Sequence, residues 1–253
     1  GQDRDGDQLR ELVQAENMSD AGIIDSAERM TTSKTRVIGN KHQVIRVDAE
    51  DDHALSTNEE QALLAKINEL VAVGDIDVVI FQDYDKGVIT ENLIAEVIKT
   101  CTEKGIPTAV DPKKRNFMHF KGATLFKPNL KELNEGLNIA VTPSNTSEVE
   151  QGIDQLNESL GNKINFVTLS EYGVFIKDGA SKAHIPAHLR SISDVSGAGD
   201  TVISVAALCL ALNQPIAMIG EIANLAGGLV CESVGVVSVD KDQLLSEAIT
   251  HLI

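Results

Sequence analysis

From Asp77 onward the chain alternates short apolar runs with amphipathic stretches, and that alternation restricts it to an α/β fold. Val78-Val79-Ile80-Phe81 reads as a buried strand, Glu91 to Lys104 as a helix and Thr108-Ala109-Val110 as the next strand, which predicts a parallel sheet. Ahead of them, Asn58 to Val73 puts Leu63, Leu64, Ile67, Leu70 and Val71 on one helical face suited to packing on that sheet. Further strands are expected at Ala123 to Phe126 and Phe166 to Ser170, then a hairpin over Val174 to Ile185 that turns through Asp178-Gly179-Ala180-Ser181. The last third reads as helices at Thr201 to Leu212, Ile216 to Cys231 and Lys241 to Leu252, with a short strand near Val236 to Val239. No repeat or low-complexity linker interrupts the 253 residues, so one domain is expected.

Asp194-Val195-Ser196-Gly197-Ala198-Gly199-Asp200 opens onto the helix at Thr201. Gly197 and Gly199 let the backbone turn so that their own N–H groups and that of Ala198 converge, and a helix N-terminus adds its positive end. That is an anion hole. A carboxylate at its lip, Asp200, repels a phosphate but can accept the proton of a hydroxyl attacking one, so the segment points to phosphoryl transfer to an alcohol. The plainer reading is a tight loop with Asp200 as a helix cap.

Charge narrows the partners. With 22 Lys and Arg against 38 Asp and Glu, the net charge of −16 argues against nucleic-acid or anionic-membrane binding, and no apolar run is long enough to span a bilayer. A cytoplasmic enzyme is expected, with Cys101, Cys209 and Cys231 as buried free thiols. Any anionic substrate must then meet a local basic cluster. Lys34, Arg36 and Arg46 alternate with apolar residues at period two and can share a strand face, either as a receiver for a phosphate carried by the acceptor or as a solvated hairpin. Asp83 and Lys86, just past a buried strand, and Lys113, after Asp111-Pro112, are further substrate candidates. Asn129 and Glu132 stand one helical turn apart after the strand ending at Phe126, either as a capping box or facing phosphate and magnesium-bound water.

These residues together resemble the ribokinase-like (PfkB-type) carbohydrate kinases, whose D-T-x-G-A-G-D hallmark stands here as Asp194 to Asp200 with Val195 and Ser196 as departures. The family fold is a three-layer α/β/α sandwich with a mainly parallel central sheet. The resemblance implies ATP and Mg²⁺ as cofactors, Asp200 as catalytic base beside Gly197, Ala198 and Gly199, and Glu132 of the N-x-x-E motif as an organiser of the metal through water. It further assigns ATP contacts to Ser170 and Gly173 in the Thr168 to Gly173 loop and to Asn224 in the Ala223 to Gly228 stretch, and a monovalent-cation site to Asp194, with K⁺ as the candidate ion. Gly173 reads equally as a hairpin glycine, and the Asn224 stretch as helix packing through Ala226 and Gly227. The phrases T-x-K-x-R-V, Q-x-x-R-x-D, D-Y-x-K-G, D-P-K and P-N-x-x-E resemble the heptose 7-phosphate kinase branch, which implies phosphorylation of an anomeric hydroxyl, a sugar phosphate and ATP as partners, and a homodimer. Kinases of other phosphorylated sugars such as fructose or tagatose phosphate, and an inactive sugar-phosphate or nucleotide sensor, are the rivals. The chain opens at Gly1-x-Asp3-x-x-Gly6 without the family's first strand, part of its lid or its G-G-x-x-N segment, and reaches Ile253 without an H-x-G-H motif. A kinase part lacking its N-terminal portion and any nucleotidyltransferase domain is therefore expected.

Overall fold

The computed structural model describes residues 1–39, 42–179, 181–188 and 190–252. The chain divides into two compact units, one formed by Gly1–Asp75 with Asp85–Leu93 and the other by Ile76–Tyr84 with everything from Ile94 onward.

In the smaller unit, helix α1 (Arg4–Ala15) starts because the Asp3 carboxylate accepts the Gly6 N–H at 2.8 Å, and the same side chain ties down Thr31 N–H at 2.8 Å. Strands β1 (Ser33–Gly39) and β2 (His42–Ala49) form an antiparallel pair in which Lys34 faces Asp48 and Arg36 faces Arg46. Helix α2 (Thr57–Val73) opens on a capping box, Ser56 with Glu59, and closes on Gly74 at φ +92°, a left-handed conformation that favours glycine. Its predicted apolar face is half-buried, with Val71 fully so.

The larger unit carries a six-stranded sheet in the order β3 (Val79–Gln82), β4 (Thr108–Asp111), β5 (Leu125–Phe126), β6 (Ile164–Thr168), β7 (Val174–Asp178) and β8 (Ser181–Ile185). Its first three pairings are parallel, and the β6–β7 and β7–β8 pairings are antiparallel. Helices α3 (Glu91–Lys104), α4 (Leu130–Leu137) and α5 (Thr146–Leu160) intervene between strands, and α6 (Ala198–Ala211), α7 (Ile216–Val230) and α8 (Lys241–Leu252) follow them. Alternation along the strands sorts the two faces. Ala109, Leu125, Phe166, Ile176 and Ile185 pack against Ile203, Ala206, Ile219 and Ala223 of α6 and α7. Toward the other side Lys177 reaches Glu150 and Asp154 on α5. Phe117, Phe120 and Phe126 are fully buried and meet edge-on or tilted, with ring centroids 5.1 and 6.1 Å apart. Helices on both faces of a mainly parallel sheet make the expected three-layer sandwich.

Three local expectations change. The segment from Val236 to Val239 forms no strand, and Val234 and Val236 stay 77% and 64% exposed, so no packing holds it extended. Helix α6 begins three residues early, at Ala198, so Asp200 sits inside its first turn. Helix α5 was not foreseen; Val149, Ile153, Leu156 and Leu160 fill its buried face at the i, i+4, i+7 and i+11 spacing of a helix. Ala180 of the expected hairpin turn lies outside the described residues. Among those described, no helix is long and apolar enough to cross a membrane, and the three cysteines are buried and free, their thiols pushed up by burial.

Candidate active site

The carboxyl ends of parallel strands are where open α/β sheets bind ligands, and here the ends of β3, β4 and β5 meet the start of α6. Asp111, the last residue of β4, is 4% exposed and its Oδ1 lies 3.1 Å from Nζ of Lys127, itself 2% exposed and one residue past β5. Gln82 at the end of β3 donates from Nε2 both to Asp111 Oδ2 at 3.1 Å and to Asp200 Oδ1 at 3.0 Å. The Tyr84 hydroxyl also donates to Asp200 Oδ1 at 3.0 Å. Burial and the negative charge of Asp200 push the Tyr84 phenol up to about 12, so it stays protonated and keeps donating. Lys127, Asp111, Gln82, Asp200 and Tyr84 thus form one continuous polar chain. The sequence pointed to Asp200 and placed Gln82 and Tyr84 only within a candidate substrate loop, with no role for Lys127; the signal available was a polar residue at each of three adjacent strand ends.

Asp200 is half-buried and does not cap its own helix. The N-cap is Gly197 at φ +82°, which has no side chain with which to satisfy the first-turn amides. Ala198 N–H leans back to the Val195 carbonyl at 3.3 Å, a long bond that leaves the Gly199 end of the turn the more open part of the cradle. A side chain at Gly199 would stand 3.8 Å from Asp111 Oδ2 and 3.9 Å from Lys127 Nζ, so that backbone runs directly beside the ion pair. Upstream, Asp194 accepts from Ser196 N–H at 2.9 Å and from Gly235 N–H at 3.1 Å. Those amides, Ser196 first, hold its carboxyl below the usual range. Asp194 therefore pins the loop that shapes the start of α6.

Asn129 and Glu132 do form the capping box: Asn129 Oδ1 accepts Glu132 N–H and Glu132 Oε2 accepts Asn129 N–H, each at 2.8 Å. The other Glu132 oxygen binds Lys113 Nζ. Burial works against the charge on Lys113, but that bond and the charges of Asp111, Glu132 and Asp83 outweigh it and raise the ammonium above its ordinary value. Capping and chemistry are not exclusive here, since the box fixes the Glu132 carboxylate at the carboxyl end of β5. Asp83, one residue past β3, is 2% exposed, and its Oδ2 accepts from Asn116 Nδ2 at 3.2 Å.

Among the described residues no three His, Cys, Asp or Glu side chains gather as a metal cage, so what these strand ends offer a divalent ion is one or two carboxylates. Asp83, Asp111, Glu132 and Asp200 outnumber Lys113 and Lys127 at these strand ends, so phosphates entering there meet surplus negative charge that a cation must offset. Mg²⁺ keeps several waters and takes one or two carboxylates plus phosphate oxygens, which a single tethered Glu132 can serve.

Farther along the sheet, Ser170 adopts φ +54° where a glycine would be unstrained, and Gly173 adopts φ +84°. A Cβ on Gly173 would lie 2.0 Å from the Ile185 carbonyl oxygen, so this glycine is required by the close approach of β8. Gly173→Ala is expected to lower stability by about 1–3 kcal/mol, measured as a fall in the urea midpoint at unchanged m-value. Asn224 donates to the Pro186 carbonyl at 2.9 Å. A side chain on Gly227 would come within 2.6 Å of Val202, so the packing role of that stretch is real.

In the smaller unit the basic residues share a face, with carboxylates among them. Lys34 pairs with Asp48 at 3.2 Å and Glu50 at 2.7 Å, Arg46 with Asp48 at 2.8 Å, and Lys86 with Glu50 at 2.5 Å. Arg36, opposite Arg46, is exposed and has no ion pair among the described residues. Three cations therefore share two carboxylates with Arg36 beside them, and the patch keeps a positive excess inside an acidic protein.

The profile of the pfkB family carbohydrate kinases matches residues 1–243. The chain belongs to the pfkB family. Its chemistry is accordingly that of an ATP-dependent sugar kinase. Among curated proteins, the Bifunctional protein HldE of Methylobacillus flagellatus is 38% identical over 250 residues, covering 98% of this chain and 50% of that protein. The protein of the same name from Campylobacter jejuni is 36% identical over 246 residues, covering 97% of this chain and 50% of its own length. The chain thus spans about half the length of the curated relatives it matches. Among solved structures, phosphofructokinase-2 from Escherichia coli in complex with potassium superimposes with a TM-score of 0.81 at 18% identity, over 96% of this chain and 78% of that one. Ribokinase from Giardia lamblia gives 0.77 at 16% identity, over 100% and 81%. Both place the chain in the ribokinase-like fold.

Proposed function

We propose that this chain is the kinase that phosphorylates the anomeric hydroxyl of D-glycero-D-manno-heptose 7-phosphate to the 1,7-bisphosphate, a step toward ADP-heptose and lipopolysaccharide core, in the cytoplasm. The observation that carries the reading is Asp200, aimed from the first turn of α6 into a cluster of strand-end polar groups instead of onto its own helix. The 38%-identical relatives named HldE support the choice of sugar.

When bound, Mg·ATP supplies the phosphoryl group and the divalent charge that screens its oxygens. Asp200 takes the proton from the sugar hydroxyl as that oxygen attacks. The open amides at the start of α6 stabilise negative charge on the transferring group, to which Lys127 and Lys113 add positive charge. Glu132, locked by Asn129, is the residue that would hold the divalent ion through water. Ser170, Gly173 and Asn224 are assigned to the nucleotide and Asp194 to a monovalent cation such as K⁺, while Asp83 and Lys86 are assigned to the sugar. The two compact units are read as parts of one kinase domain, and a homodimer as its assembly.

Lys34, Arg36 and Arg46 are assigned to the phosphate the sugar already carries, with Arg36 the most available of them. Arg36→Ser is expected to raise KM for the phosphorylated sugar roughly tenfold with kcat little changed, the size of one charge-assisted hydrogen bond. Steady-state kinetics check this, and an unchanged KM removes Arg36 from phosphate recognition. Parallel assays with heptose 7-phosphate and fructose 6-phosphate test the sugar, and a preference for the fructose ester overturns it.

A further inference from the structure

We propose that Tyr84 and Gln82 form a clamp that fixes one oxygen of the Asp200 carboxylate and so reserves the other as the proton acceptor. The inference deepens the kinase reading and, for its catalytic consequence, rests on it. Two donors converge on Oδ1, Gln82 Nε2 and Tyr84 OH, each at 3.0 Å, while Oδ2 carries no hydrogen bond among the described residues. A carboxylate on a single rotatable bond is ordinarily free to exchange its oxygens. Two bonds to one oxygen stop that rotation.

The clamp is anchored behind Gln82. Its amide nitrogen faces two carboxylates at once, Asp200 Oδ1 and Asp111 Oδ2, which fixes the amide orientation, because the flipped form would point its oxygen at both. Asp111 cannot drift, since its other oxygen pairs with Lys127 and both side chains are almost wholly buried. The position of the general base is therefore set through Gln82 and Asp111 by a buried lysine on β5's carboxyl end. Tyr84 closes the clamp from the solvent side, being 54% exposed.

The charged and titratable groups that the hydrogen-bond chain links to Asp200 are Tyr84 after β3 and, through Gln82, Asp111 at the end of β4 and Lys127 after β5; α7, packed on α6, carries only Glu221. Tyr84 bonds Asp200 directly and can be altered without touching the buried pair. Both Tyr84 and Gln82 are positioning residues, acting on the reaction through Asp200.

The test compares the full chain with its Tyr84→Phe variant, which keeps the ring and loses the donor. At one fixed pH the Asp200 carboxyl carbon is observed by carbon-detected NMR with selectively labelled aspartate, assigned by its loss in Asp200→Asn. The clamp predicts a displaced Asp200 resonance in Tyr84→Phe, and again in Gln82→Leu as the second variant, because each removes a donor from Oδ1. A resonance unmoved in both variants overturns it, whether or not the protein turns over. In the same samples kcat is expected to fall on the order of tenfold with KM for ATP unchanged. Should Asp200→Asn retain full turnover, the kinase reading of Asp200 fails while the resonance still decides the clamp.

Discussion

Asp200→Asn is expected to lower kcat by roughly 10²–10⁴-fold while leaving ATP and sugar-phosphate affinities within a few-fold of the unaltered chain. Asparagine keeps the side-chain oxygen that accepts from Gln82 and Tyr84, so the local geometry survives the change. What it removes is the oxygen that takes a proton. In the proposed reading binding depends on other groups, the open amides of α6 and the lysines just past β4 and β5, and those are untouched. Steady-state kinetics with isothermal titration separate the two effects. Loss of binding in step with kcat would mean that Asp200 organises the site and does no proton chemistry.

The second large effect is on stability. Lys127 and Asp111 are an ion pair with side chains only 3% and 6% exposed. Replacing such a pair by apolar groups can be neutral, but removing one partner strands a buried charge. Lys127→Met is therefore expected to cost about 3–5 kcal/mol, seen as a lower urea midpoint. Adding Asp111→Asn to it should recover a large part of that loss, because the stranded charge disappears with it. Equal destabilisation in the single and double variants would show that packing, and not charge pairing, is what Lys127 contributes.

Much of this was legible in the sequence because it depends on local pattern. The strand at Val79–Gln82, the helix at Glu91–Lys104 and the helix at Lys241–Leu252 follow directly from apolar periodicity and lie within a residue of expectation. The Asn129 to Glu132 capping box is readable from its four-residue spacing, and the left-handed Gly197 from its place before an apolar helix. The strand expected at Val236 to Val239 fails for the opposite reason: an apolar run becomes a strand only where tertiary packing takes it up, and Val236 stays 64% exposed. The Gln82 bridge and the Lys127–Asp111 pair were illegible because they join residues far apart in the chain, at strand ends whose order nothing local reveals. The basic patch was half legible. Period two put Lys34 and Arg36 on one face, but only the strand register brings Asp48 opposite Lys34 and so tempers its charge.

The account rests on a carboxylate at position 200 deprotonating a sugar hydroxyl beside an amide cradle for the moving phosphate. The most direct test incubates the chain with Mg·ATP and heptose 7-phosphate and follows the reaction by ³¹P NMR and mass spectrometry. The account predicts a bisphosphate carrying the new group on the anomeric oxygen, formed by the unaltered chain and not by Asp200→Asn. Phosphorylation that proceeds equally in both, or ATP breakdown to free phosphate with the sugar unchanged, would contradict it.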